Sequence, residues 1–469
     1  MSDQTVLRRA GPSRTGAGSE SPLRIALLSP KGPLYRHRGG IFGKGLRYMP
    51  LTLPTLAALI PADLPHRVVC HDEGIADIPD DLEADLVGIT VITGTAPRAY
   101  ALAARLRARG IAVVLGGPHP TLAPEDAQPH ADAIVVGYAE DEWPRLLRDF
   151  VAGRMLARYV QQPGLVIGGR PPPRRDVLPA RRYLTKDVFE ATRGCVHKCE
   201  FCVVPSAWPG RQLQKPPEEI VADIRRNRAR RALFIDLNII ADRAYALSLF
   251  AALEPLRIQW FGLSTTLLGE DAELLAAASS SGCRGLLMGL ESIEPAALKG
   301  MRKSFNSPEH YARLVERLHQ HRIALQGCFV FGNDHDGPDV FLRTARFAVD
   351  VGIDLPRFAI LTPFPGTPLN RRLEAEGRII SRDWERYDGQ HVVFQPAKLT
   401  VTELERGTEA AWKHAYSWRS MASRLRRTAA PWHVALATNF GYRFYAHRLH
   451  RFYTCDTLSW DGAAAAESA

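Results

Sequence analysis

From Leu23 onward the chain alternates short aliphatic runs with longer segments whose apolar positions recur at helical spacing. LRIALLS (23–29), HRVVCHD (66–72), DLVGITV (85–91), AVVLGG (112–117) and DAIVVGY (132–138) read as strands, while APRAYALAARLRARG (96–110) is the clearest helix among them. This strand–helix–strand order predicts an open parallel sheet of the doubly wound, Rossmann-like kind over 23–150. Residues 151–185, including PPPRR at 171–175, read as a linker with a small edge hairpin.

A second series spans 186–400. Its strand candidates DVFEATRG, RALFIDLN, QWFGLST, GLLMGLES, ALQGCFVFG and RFAILTPF are separated by amphipathic segments such as PEEIVADIRRNR and SPEHYARLVERLHQHR. Six such repeats predict an α/β unit of the partial or complete (βα)6 barrel type, with chemistry at the carboxyl ends of the strands. After residue 400 the strand signal stops, and 401–469 reads as a helical module. Residues 1–22 are rich in Ser, Gly and Arg with no apolar period, and read as a disordered tail.

With 46% hydrophobic and 23% charged residues, the composition fits large folded cores and excludes a disordered chain. Seven cysteines, three of them within eight residues, are the wrong pattern for secreted disulfide pairing and fit a reducing cytoplasm. No stretch approaches the length of a membrane span, and the first twenty residues have no apolar signal core. The formal charge of +10 suits an anionic partner without choosing among nucleic acid, a phosphate-bearing cofactor and a membrane surface.

Cys195, Cys199 and Cys202 form C-x3-C-x2-C in TRGCVHKCEFC, directly after the first barrel strand. Three thiolates in one short loop can wrap an iron–sulfur cube and leave one iron open for a substrate or cofactor. The bland alternatives are a structural zinc site completed by a distant ligand such as His197, or three chance cysteines. The motif resembles that of the radical S-adenosylmethionine (SAM) superfamily. By that resemblance the three cysteines hold a [4Fe-4S] cluster that chelates SAM and yields a 5′-deoxyadenosyl radical, and Phe201 touches the adenine.

Later strand ends carry the likeness further. Asp236 and Asn238 resemble polar residues facing the SAM amino group, although the acidic pair of close relatives appears here only as Asp236. Glu291 and Ser292 in MGLES resemble the fourth-strand motif that reaches SAM ribose and carboxylate; Ser292 also reads as a helix cap. Gly332 with Asn333, and Pro365 with Gly366 and Thr367, resemble the fifth and sixth strand ends.

The first unit has no GxGxxG. Its glycines fall at strand ends, where they let a ligand approach the backbone, and each alone is equally well a turn glycine. Together with the MPLTLPTLAALIP segment, their order resembles the cobalamin-binding domain that precedes radical SAM barrels in the class of hopanoid methylases and anaerobic protoporphyrin cyclases. That resemblance assigns cobalamin contacts to Ser29, Thr90, Gly116, Gly117, Gly137, Tyr138 and Glu140. The DxHxxG signature is absent, so the resemblance supplies no histidine to cobalt; His119 and His37 read as turn or surface residues.

The resemblance implies a methyltransferase acting through methylcobalamin on an unactivated carbon of an apolar or amphipathic small molecule, a hopanoid or other isoprenoid lipid, or a tetrapyrrole. It also implies an external one-electron reductant such as flavodoxin or ferredoxin. Oxidative cyclisation with the same cofactors is the second reading. A methylthiotransferase acting on RNA would carry a second cysteine triad in the first unit, which has only Cys70. A purely corrinoid-binding regulator would not need the three clustered cysteines. The basic, aromatic module between Ala410 and Cys455 reads as a lid on the barrel, as a peripheral membrane surface or, least of all, as a nucleic-acid surface.

Overall fold

The structure, a computed structural model, describes residues 21–32, 48–208 and 212–449. The expected tail up to residue 20, His37, Cys455 and the end of the C-terminal module lie outside these residues. The chain forms two compact units that divide between Val188 and Phe189, with Ser206–Trp208 grouping with the first.

In the first unit six parallel strands are β1 (Leu23–Ser29), β2 (His66–Asp72), β3 (Leu86–Thr90), β4 (Ala112–Gly116), β5 (Ala133–Val136) and β6 (Arg158–Val160). They lie in the order β2-β1-β3-β4-β5-β6. Direction reverses at β1, so right-handed crossovers place helices on both faces, as expected for a doubly wound sheet. The reversal leaves a crevice outside the carboxyl ends of β1 and β3, where such sheets bind ligands. Helix Ala96–Ala108 buries Ala99, Leu102, Ala103 and Leu106, the stripe that helical periodicity requires, and Gly110 in the left-handed region (φ 78°) follows its end.

The segment 151–185 departs from expectation. In place of an edge hairpin it supplies β6, which pairs parallel to β5. Tyr159, Leu178 and Tyr183 join the core of the first unit, and the Tyr183 hydroxyl donates to Asp72 at 2.9 Å. Proline-rich spacing hid a segment anchored by its side chains as well as by the three-residue ladder of β6.

The second unit contains β7 (Val188–Phe189), β8 (Thr192–Arg193), β9 (Leu213–Gln214), β10 (Arg231–Phe234), β11 (Gln259–Ser264), β12 (Cys283–Glu291), β13 (Ala324–Phe331) and β14 (Arg357–Ile360). One six-stranded sheet runs β14-β13-β12-β11-β10-β7, and β8 pairs antiparallel with β9. The order never reverses and β14 does not pair with β7, so this is a partial barrel with every crossover helix on one face. Strand β13 alternates strictly, with Leu325, Phe329 and Phe331 buried in the core and Gln326, Cys328 and Val330 on the opposite, inner face.

Side-chain caps start several helices. Asp242, Asp271, Thr367 and Ser417 each accept from a backbone N–H in the first turn, and Thr400 with Glu403 forms a reciprocal capping box. Each such cap contributes about 1 kcal/mol.

Helices Val401–Ala415, Trp418–Leu425 and Trp432–Ala446 close the free edge of β14. Trp412 donates to Phe358 O at 2.9 Å, Tyr416 to Pro356 O at 2.8 Å, and Ile360 N–H to Gly389 O. Of the readings held open for this module, lid-like packing fits its buried aromatics. The arginines do not all point outward: Arg424 is buried and donates to Asp354 O and Ala415 O.

Candidate functional site

The first expected barrel strand, 187–194, is broken into β7 and β8. The cause is Asp236, which lies just past β10. Its buried carboxylate accepts from Ala191 N, from Thr192 N at 2.5 Å and from the Thr192 hydroxyl at 2.7 Å. Burial pushes this carboxyl up to about 6. Asp236 thus holds the chain that leads into the cysteine loop.

That loop begins at Gly194 (φ 86°) and ends in helix Val203–Ala207. Cys199 is buried and Cys195 and Cys202 are half-buried. The three thiols are close enough to influence one another's ionisation, and burial pushes Cys202 up to about 11. Glu200 clamps the loop from both sides, its N–H donating to Met301 O and its carbonyl accepting from Leu369 N. The Glu200 carboxylate meets Arg372 at 2.9 Å, and Arg372 meets Asp334, which Arg378 also holds.

Among the described residues no three His, Cys, Asp or Glu side chains converge on a single point as ligands of one ion. The ring of His197 is instead stacked on Phe305, with centroids 4.1 Å apart. A four-iron cube places each thiolate on its own iron, so spaced cysteines in one clamped loop suit it.

Around this loop the strand ends supply polar and apolar surfaces. Asn238, Gln212 and Thr265 each have a buried side-chain oxygen that accepts no hydrogen bond. Orphaned acceptors are costly in a finished core, and these three fit a group with several N–H donors, such as the ammonium of SAM. Phe201 packs on Ala297, Leu298 and Met301 and lines a cavity with Asn333 and Leu361.

Glu291 ends β12 in the left-handed region (φ 67°), a strained position for a residue with a side chain. Its carboxylate meets Lys303 Nζ at 2.5 Å, and both side chains are at most 10% exposed. Burial alone would lower the Lys303 pKa, but Glu291 overrides it and holds the ammonium above its ordinary value. A Cβ on Gly289 would lie 2.1 Å from Glu291 Oε1, so the pair rests against bare backbone. Ser292 accepts from Glu294 N, two residues before helix Pro295–Gly300, and so stabilises the approaching turn rather than capping the helix.

Gly332 (φ 102°) turns the chain after β13, where Gly332 N and Asn333 N both donate to Asp336. Pro365 is buried in the loop after β14, just ahead of Thr367, which caps helix Pro368–Ala375. Lys303, Gln212, Thr265 and the Glu200 clamp escaped sequence reasoning. Glu200 lies inside the cysteine motif but carries no ligand chemistry there, and the other three sit in no motif, so only their surroundings in three dimensions mark them.

In the first unit the expected cobalamin residues all fall on the carboxyl edge. Ser29 and Thr90 end β1 and β3 beside the crevice, Gly116 ends β4, and Gly117 follows it. Gly117 (φ 108°) needs to be glycine, since a Cβ would stand 2.9 Å from Val91 O. Gly137 (φ 91°) donates its N–H to the Thr121 hydroxyl oxygen at 3.0 Å, Tyr138 N donates to Gln161 Oε1, and Glu140 is buried. His119 is not a surface residue: it is fully buried, 3.0 Å from both the Tyr100 hydroxyl and Asp126. Burial lowers its pKa, and the network holds it in the fold.

Comparison with known proteins accounts for this pairing of units. Residues 58–147 match the B12 binding domain family, and residues 189–348 match the Radical SAM superfamily. The chain is 31% identical over 397 residues to bacteriochlorophyllide d C-12(1)-methyltransferase of Chlorobaculum tepidum, covering 82% of this chain and 86% of that one. It belongs to the cobalamin-binding radical SAM methyltransferase family. Hopanoid C-2 methylase of Rhodopseudomonas palustris is 25% identical over 352 residues, 71% of this chain and 66% of the methylase. The fold matches that of the radical SAM methyltransferase TsrM of Kitasatospora setae, with a TM-score of 0.63 at 17% identity over 76% of this chain and 78% of that one. As a member of this family the protein is a radical SAM enzyme, with cobalamin, a [4Fe-4S] cluster and SAM as its cofactors. Among the described residues no helix is long and apolar enough to cross a membrane.

Proposed function

We propose that the protein methylates a carbon of a tetrapyrrole macrocycle. The likeness to a bacteriochlorophyllide methyltransferase over four-fifths of the chain carries this reading. Bound together, the cofactors supply a radical able to remove a hydrogen atom from an unactivated carbon and a methyl group to replace it.

The chain's own residues provide placement and shielding. Cys195, Cys199 and Cys202 would hold the cluster in a loop that Asp236 and Glu200 keep in register. Asn238, Gln212 and Thr265 offer the acceptors that the SAM ammonium needs, and Lys303 with Glu291 offers opposite charges for its carboxylate and ribose. Phe201 with Met301 forms an apolar wall for adenine. Gly332 and Pro365 shape the turns that border it. On the first unit, Ser29, Thr90, Gly116, Gly117, Gly137, Tyr138 and Glu140 would line the cobalamin edge. An external one-electron donor would start each turnover.

Anaerobic reconstitution with iron, sulfide, cobalamin, SAM and a chlorophyllide-type substrate, followed by mass spectrometry, tests the reading. Gain of one CH2 supports methylation, whereas loss of hydrogens without gain of carbon assigns the cyclase-type alternative. Turnover of a hopanoid in place of the macrocycle overturns the substrate class.

A further inference from the structure

Register places three inner-face positions of the partial barrel in one row: Gly289 on β12 pairs with Cys328 on β13, which pairs with Arg357 on β14. The row lies two residues before Glu291, about 7 Å down the strand from the proposed SAM site. Arg357 is exposed to solvent, whereas its neighbours Phe358 and Ile360 are buried on the opposite face. It is nevertheless partly desolvated by the protein around it, and the phenols of Tyr442, Tyr445 and Tyr416 and the thiol of Cys328 act on its charge. Arg357 thus stands on the inner face of the partial barrel with access to solvent.

The guanidinium has five donors, and it forms no hydrogen bond or ion pair with any described residue. Its neighbours differ sharply. Arg424 is bonded to two carbonyls, Arg427 to Val349 O and Asp350 O, Arg443 to Tyr416 O, and Arg372 and Arg378 to carboxylates. A partly desolvated guanidinium with no partner among the described residues is free to take up an anion in two parallel hydrogen bonds. The C-terminal helix Trp432–Ala446 reaches the same inner face, where Tyr442 accepts from Gln326 at 2.7 Å. Apolar surface lies across the sheet, where Phe261 on β11 is 41% exposed.

We propose that Arg357 anchors a carboxylate carried by an otherwise apolar, ring-shaped substrate lying along the inner face of the barrel. The planar fork of a guanidinium matches a carboxylate in two parallel hydrogen bonds. The ring part of this proposal rests on the tetrapyrrole reading, and the carboxylate part rests on Arg357 alone. A neutral polycycle would leave the charge unpaired.

Fluorescence titration of the full-length protein separates the two. The probes are protoporphyrin IX against its dimethyl ester, and 1-pyrenebutyrate against 1-pyrenebutanol. The acid of each pair is expected to bind about 10- to 100-fold more tightly, the worth of one hydrogen-bonded charge pair. Arg357→Met should abolish that preference with unchanged thermal unfolding and cobalamin binding, and Arg357→Lys should retain part of it. Equal binding of acid and neutral probe by the wild type, or a preference that survives Arg357→Met, overturns the anchor. Porphyrins bound equally well as acid and ester leave the tetrapyrrole reading standing without the anchor. Absence of porphyrin binding, with an Arg357-dependent preference for pyrenebutyrate, removes the tetrapyrrole reading and keeps the anchor.

Discussion

Replacing Lys303 by Met removes the partner of a carboxylate that has nowhere else to go. The ammonium and Glu291 Oε1 are 2.5 Å apart, and the two side chains are 10% and 8% exposed. Breaking a buried pair from one side costs about 3–5 kcal/mol, because the remaining charge stays desolvated. For a unit of this size that lowers the unfolding midpoint by about 10 °C. Removing both charges, with Lys303→Met and Glu291→Gln together, should recover at least about 2 kcal/mol relative to the sum of the single changes.

The assay is urea unfolding of the four proteins at pH 7, read as a double-mutant cycle. The Lys303 ammonium is charged there. The folded Lys303 pKa lies above its ordinary value of 10.5, so the contribution is complete below that value and is lost only as pH rises through the raised one. Additivity of the two substitutions within about 0.5 kcal/mol would refute the argument, since it would mean that solvent or another group already compensates Glu291.

Cys202→Ala should abolish cluster loading, seen as lost iron and lost visible absorbance, and with it SAM cleavage, while cobalamin binding persists. Asp236 titrates at about 6 in the fold against 3.8 when unfolded, so its burial penalises the charged form. Relative to Asp236→Asn, wild-type stability should therefore fall by up to about 3 kcal/mol as pH rises from below 4 to above 6, and a flat difference across that range would contradict the burial described. Gly117→Ala would force a Cβ to within 2.9 Å of Val91 O at φ 108°. It should destabilise the first unit by about 1–2 kcal/mol and weaken cobalamin binding measured by absorbance titration.

The two sheets were legible because their strands are read by hydrophobic continuity, and the crossovers between them carry clear helical stripes. The cysteine loop was legible because a cluster needs its ligands close in sequence. What escaped was held by long-range side-chain bonds. Asp236 follows a strand, and nothing in its local sequence shows that it accepts from Ala191 and Thr192, some 45 residues earlier. Tyr159, Leu178 and Tyr183 looked like linker residues because β6 spans only Arg158–Val160. Lys303 and Arg357 look alike in sequence, one basic residue among many, and only their surroundings give one a buried partner and the other none among the described residues.

The uninterrupted strand order of the second sheet also bears on how such a protein can diversify. All crossover helices gather on one side, so positions such as Phe261 and Cys328 face away from the interlocked interior that keeps the sheet intact. Mutational drift there can reshape what is admitted without endangering the architecture. New specificities can thus arise by single replacements on that bare side, while the iron-holding loop and its supports stay untouched.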